Sequence, residues 1–147
     1  MYAFEYANKN PQELETDYSY TARTGRCHAT KAKEIVQATT YAHVPAKSVD
    51  QLKAAIAIQP TCVSVDAEDY HFQQYSSGIL DTTQCGTDLD HAITAVGYGT
   101  ENGKNYFIVR NSWGPSWGEK GYIRISADVG GNGVCGILLD STRPTTN

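Results

Sequence analysis

The chain predicts an α+β fold, with its helical signal early and its strand signal late. Residues 48–58 repeat apolar side chains at helical spacing, whereas residues 91–126 alternate and turn as strands do. Between two of those late runs stands Glu101-Asn102-Gly103-Lys104, the signal of a tight hairpin.

In chain order, Tyr2, Phe4 and Tyr6 among Ala3 and Ala7 predict a packed helix that Asn10-Pro11 stops. A chain that begins inside such an element is expected to be a piece of a longer protein. Residues 11–33 are polar and turn-rich, with Tyr18 and Tyr20 expected as anchors. Ser48 and Gln51 form a capping box for a helix whose apolar face is Leu52, Ala55 and Ile56, and Gln59-Pro60 ends it. Val63 and Val65 alternate with Ser64 and Asp66, which predicts a strand. DYHFQQY reads as a short amphipathic turn before Gly78. Strands are expected at 91–98, 104–111 and 120–126, with a short final one near 137–140. Gly130, Gly131 and Gly133 mark a loop, and no strand-to-helix context gives it phosphate-binding character.

At 147 residues the chain is long enough to bury a real core. A net charge of -4 without any Lys/Arg cluster argues against nucleic acid as a partner. No apolar run approaches the ~18 residues of a membrane span, so no membrane partner is expected. MYAFEYANKN has neither the basic start nor the apolar stretch of a signal peptide. His28, His43 and His71 lie in polar or turn segments without zinc-ligand spacing, so neither a metal nor a cofactor is expected. N-glycosylation gets no support, since no N-x-[ST] sequon occurs.

The chemistry gathers in residues 88–118. His91 opens one strand-like run and Asn111 closes the next, so the hairpin brings them side by side. A neutral imidazole can take a proton from a thiol, and the imidazolium then stabilises the thiolate. An amide oxygen can hold the ring at the correct tautomer and angle. Trp113, two residues beyond Asn111, can cover that contact and exclude water. The pair is therefore the base half of a cysteine-nucleophile site. Yet none of the four cysteines looks like the nucleophile. Cys27 lies in a polar loop, and Cys62 reads as a free buried thiol in a strand. Four cysteines allow three two-bridge connectivities, and Cys85 with Cys135, each beside a glycine, is the favoured bridge.

The combination DHAITAVGYG, YFIVRNSWG and WGEKGYIRI resembles the papain-like cysteine proteases, the plant papains and lysosomal cathepsins, from Met1 to about Pro144. The resemblance implies a papain-like fold: residues 1–43 as a remnant of its helical left-hand domain, and 44–147 as its right-hand antiparallel β-barrel-like domain. It makes His91 the catalytic histidine, Asn111 its orienting partner and Trp113 their shield. Trp117 becomes a residue lining the leaving-group side. QCG and GVCG match a family disulfide, which supports Cys85–Cys135, and Cys27 matches a cysteine whose partner lies upstream. Ser64, Leu89 and Ala92 align with walls of the pocket for the second substrate side chain before the cut, with Asp140 at its floor. Asp90, just before His91, joins the substrate-binding set.

The same resemblance exposes a departure. The family's C-G-S-C-W nucleophile segment, its oxyanion-hole glutamine and the glycine pair before the MYAFEYA helix do not occur in the chain. Cys62 aligns with a family serine inside a strand, a poor stand-in for a nucleophile at a helix start. The expected function is thus a part of an endopeptidase that cleaves peptides through an acyl-thioester, inactive by itself. Its expected setting is the lysosome or vacuole, or secretion, and its expected partner is a protein or peptide substrate. Two alternatives accompany it: a non-catalytic protease-like binding module, and the heavy chain of a two-chain protease whose N-terminal light chain carries the nucleophile.

Overall fold

A computed structural model describes residues 2–30 and 35–145. The chain divides into two compact units, Met1–Ala42 with Pro144–Asn147, and His43–Arg143.

In the first unit, α1 (Tyr2–Lys9) is the expected helix. Phe4 stacks on Tyr41 with ring centroids 6.3 Å apart, and Asn8 Nδ2 donates to the carbonyls of Ala38 and Thr39. The helix nonetheless buries none of its side chains, and Tyr2 is 84% exposed. Of the two expected anchors, Tyr18 accepts the His28 N–H at 3.1 Å, whereas Tyr20 is 83% exposed among the described residues.

The strands form one open sheet. The elements after α1 are β1 (Thr40–His43), α2 (Val49–Ile58), β2 (Thr61–Val65), α3 (Tyr70–Gln73), β3 (Ile79–Leu80), β4 (His91–Glu101), β5 (Lys104–Arg110), β6 (Tyr122–Ser126) and β7 (Ser141–Thr145). The strand order is β1-β7-β2-β4-β5-β6-β3. Pairs β7–β2, β2–β4, β4–β5 and β5–β6 are antiparallel, and β3 runs parallel to β6.

Local sequence explains most of these elements. Ser48 Oγ accepts the Gln51 N–H at the start of α2, which buries Leu52, Ala55 and Ile56. Thr61, Val63 and Val65 alternate into the core along β2. Asn102 and Gly103 both adopt left-handed φ, 51° and 79°, so the β4–β5 hairpin closes on the turn type that suits strand twist. Its register runs from Glu101↔Lys104 to Thr94↔Arg110, with one irregularity between Ala95 and Gly97. Phe72, Phe107, Ile123 and Ile125 complete a core from which water is excluded.

The final strand is displaced from its expected place. Residues 134–136 form a 3-10 turn, and the strand begins only at Ser141. Gly133, Cys135 and Gly136 hold φ of 73°, 52° and 77°, which an extended strand cannot accommodate. Apolar side chains at 137–138 read as strand, but Ile137 and Leu138 are buried from a turn. Sequence reading also missed β1 and the two-residue β3.

Cys85 and Cys135 are disulfide-bonded, their Cα atoms 4.9 Å apart, while Cys27 and Cys62 are free. A small acidic clasp fixes the bridge. Asp66 accepts the N–H groups of Asp69 and Asp88, and Asp69 accepts that of Gly86 at 3.0 Å. A Cβ at Gly86 would lie 2.2 Å from the Asp66 carboxylate, so glycine is required beside Cys85.

Candidate active site

Strand pairing places the two residues of interest. His91 is the first residue of β4 and sits opposite Val65 of β2, while Asn111 follows directly on β5. The pairing of Thr94 with Arg110 then brings Asn111 level with the start of β4. His91 Nε2 lies 2.9 Å from Asn111 Oδ1. That oxygen also accepts the Ser112 N–H at 2.7 Å, which settles which end of the amide faces the ring. An amide oxygen only accepts, so Nε2 of the neutral ring carries the proton and Nδ1 keeps its lone pair.

Aromatic rings seal this contact. Trp113 stacks on His91 with centroids 5.3 Å apart and planes 27° from parallel. Phe72 meets His91 and Trp113 edge-on at 6.5 and 5.5 Å, and Trp117 leans on Phe72 at 5.2 Å. The indole N–H of Trp117 donates to the Gln73 carbonyl at 3.2 Å, which ties the Trp117 loop to α3. Asn111 is only 7% exposed, so its hydrogen bond to the ring works in a low dielectric. Its Nδ2 is buried without an acceptor among the described residues. Phe72, the platform under both rings, was not singled out as a site residue in the sequence. Its one signal was its place in the amphipathic turn DYHFQQY.

His91 faces an open recess of about 240 Å³, shared with Ala67, Glu68, Gln73, Asp90 and Trp113. Asp90 borders that recess, but its carboxylate is engaged elsewhere. It accepts the N–H groups of Ala67 at 2.8 Å and Glu68 at 3.0 Å, fixing the loop after β2 against the start of β4. Ser64 lies opposite Ala92, and its hydroxyl donates to Asp140 at 3.2 Å, so these three come together. Leu89 packs over Gly136, where an added Cβ would meet it at 2.7 Å.

Cys62 does not reach the histidine. It pairs with Thr94, three residues along β4 from His91, a separation of about 10 Å at the rise of a strand. Burial pushes its thiol pKa up, and the charge of Asp140 pushes it the same way. The thiolate, the form that attacks, is therefore scarce.

Comparison with known proteins agrees with this geometry. The model of the papain family of cysteine proteases matches residues 1–145. The chain belongs to that family. It is 48% identical to the probable cysteine protease RD21B of Arabidopsis thaliana, over 97% of this chain and 31% of that protein. It is 44% identical to chymopapain of Carica papaya, over 97% of this chain and 41% of the relative. Among solved structures, the bromelain protease of Ananas comosus, in complex with the E64 inhibitor, superimposes with a TM-score of 0.91 at 43% identity. That match covers 99% of this chain and 68% of bromelain. The papain-like fold is thereby established. The chain spans about a third of the length of relatives such as RD21B.

Proposed function

We propose that the chain supplies the acid–base half of a papain-like cysteine endopeptidase, with the nucleophilic cysteine on a segment outside this sequence. The His91–Asn111 contact carries that reading, because it leaves Nδ1 of the ring as an available base inside an aromatic enclosure. In the complete site Nδ1 takes the proton of the nucleophilic thiol, and the thiolate attacks the substrate carbonyl. The imidazolium then returns that proton to the departing amine, leaving an acyl-thioester. Water, deprotonated by the same Nδ1, hydrolyses the thioester and frees the thiol. Asn111 keeps the ring aligned throughout, Trp113 shields it, and Trp117 borders the leaving-group side.

Residues 1–43 are assigned on this reading to the left-hand domain and 44–147 to the right-hand domain, and the substrate is a protein or peptide. A disulfide supports an oxidising setting, vacuolar or lysosomal or secreted. The nucleophile segment belongs either to the same polypeptide or to a separate light chain, and the intact mass of natural material separates the two.

The 147-residue chain alone is expected to show no turnover of a fluorogenic peptide. Joined to a C-G-S-C-W segment of a family member, it should gain turnover that a thiol alkylator blocks. Alkylator-sensitive turnover by the chain alone would place the nucleophile within it and overturn the proposal.

Asp140 gives the proposal a specificity. Small or apolar neighbours at Ser64, Leu89 and Ala92 favour Leu, Val or Phe at the second substrate position before the cut. The exposed Asp140 carboxylate adds an acceptor for Arg or Lys there. In the joined enzyme, Asp140→Ala is expected to lower the Arg-to-Leu preference several-fold, on the scale of a partly hydrated ion pair of about 1 kcal/mol. An unchanged ratio would remove Asp140 from the specificity residues.

A further inference from the structure

A second cavity of about 440 Å³ shares no lining residue with the His91 recess. Its lining includes Arg110, Asn111, Lys120 and Tyr122, with Gly114 and Gly121 in the loop wall, and no carboxylate. Arg110 and Tyr122 are cross-strand partners on β5 and β6. Their neighbours Val109 and Ile123 are fully buried, so strand alternation turns Arg110 and Tyr122 to the opposite face.

The charges around this cavity do not balance locally. Glu119, next in sequence to Lys120, is committed to Arg124, as is Glu101. Arg124 Nε and Nη2 donate to the two oxygens of Glu119 at 2.9 and 2.8 Å, and Nη1 donates to Glu101 at 2.9 Å. Glu119 also accepts the Gly78 N–H, and the bond to Arg124 holds its carboxyl below the ordinary carboxylate range. Arg110 and Lys120 are left without an ion pair or side-chain hydrogen bond among the described residues. Lys120 moreover holds a left-handed φ of 56°, costly for a residue with a Cβ, inside a turn closed by Gly121 N–H to Trp117 O. The buried Asn111 Nδ2 beside the cavity also lacks an acceptor. Arg110, Lys120 and Asn111 Nδ2 thus bring two cations and a donor to the cavity.

We propose that this cavity binds an anionic oxygen group, a tetrahedral oxyanion or a carboxylate, between Arg110 and Lys120 with the Tyr122 hydroxyl as a third donor. Two cations without an ion pair and a phenol in one lining match such a group by charge and by donor count. The inference does not rest on the peptidase reading, since none of these three side chains is asked to take part in turnover.

Equilibrium dialysis of the 147-residue chain against radiolabelled sulfate, with ionic strength fixed by chloride, tests it. Saturable uptake of one ion per chain is expected. Arg110→Gln and Lys120→Gln should each weaken uptake about tenfold or more, the scale of one charge-assisted hydrogen bond. Arg110→Lys should retain most of it, and Lys53→Gln, outside the cavity, should change nothing. Displacement by glutarate identifies carboxylates as sharing the site, and displacement by phosphate alone identifies tetrahedral oxyanions. Uptake that never saturates, or that Arg110→Gln and Lys120→Gln leave unchanged while both variants keep the parent circular dichroism, overturns the proposal.

Discussion

Turnover by the joined enzyme should fall by about 10⁴-fold or more when His91 is replaced by alanine. In the proposed mechanism the imidazole takes the thiol proton and returns it to the leaving amine. Without it the nucleophile stays a thiol and the amine departs unprotonated. Asn111→Ala should cost less, roughly 10²-fold, because the ring survives but loses the partner that fixes its angle and tautomer. Most of either loss should appear in kcat with little change in KM, since neither side chain is placed to hold the substrate's side chains. A His91→Ala enzyme within tenfold of the parent would show that another base does the work.

Removing the disulfide is the second large effect. Its cysteines are 50 residues apart, and closing a loop of that length constrains the unfolded chain by about 4 kcal/mol. Against a typical domain stability of roughly 5–15 kcal/mol, that is a large fraction. The folded state suffers too, because the bridge anchors the 3-10 turn that buries Val134, Ile137 and Leu138. A Cys85→Ser/Cys135→Ser chain should therefore melt on the order of 10 °C lower. A shift within one or two degrees would mean that the Asp66–Asp69 clasp holds this region by itself.

The site was more legible in the sequence than the fold around it. His91 and Asn111 are fixed by strand periodicity and a two-residue turn, both local signals, and the residues of the turn demanded the left-handed φ they adopt. Ser48, Leu52 and Ile56 announced α2 in the same way. The failures were non-local. The segment Ile137–Leu138 carries a strand's composition, but it follows Cys135, which holds a φ of 52° and is disulfide-bonded to a residue 50 positions earlier. The two residues of β3 carry too little pattern to register, and they are held by β6 and by the Gly78 contact to Glu119. Phe72 became the platform of the site because α3 folds beneath the β4–β5 hairpin, a contact that no spacing in the sequence encodes. The hydrogen bonds of the Asp90 carboxylate to the Ala67 and Glu68 N–H groups after β2 are another contact that no spacing in the sequence encodes.

The ring nitrogens of His91 report directly on which of them is free to act as the base. With the 147-residue chain labelled with nitrogen-15 and held at a pH where the imidazole is neutral, NMR distinguishes the two tautomers. A proton on Nε2, hydrogen-bonded to Asn111 Oδ1, with Nδ1 bare, is the expected result, and Asn111→Ala should erode that preference. A proton resident on Nδ1, or a tautomer balance indifferent to Asn111→Ala, would contradict it.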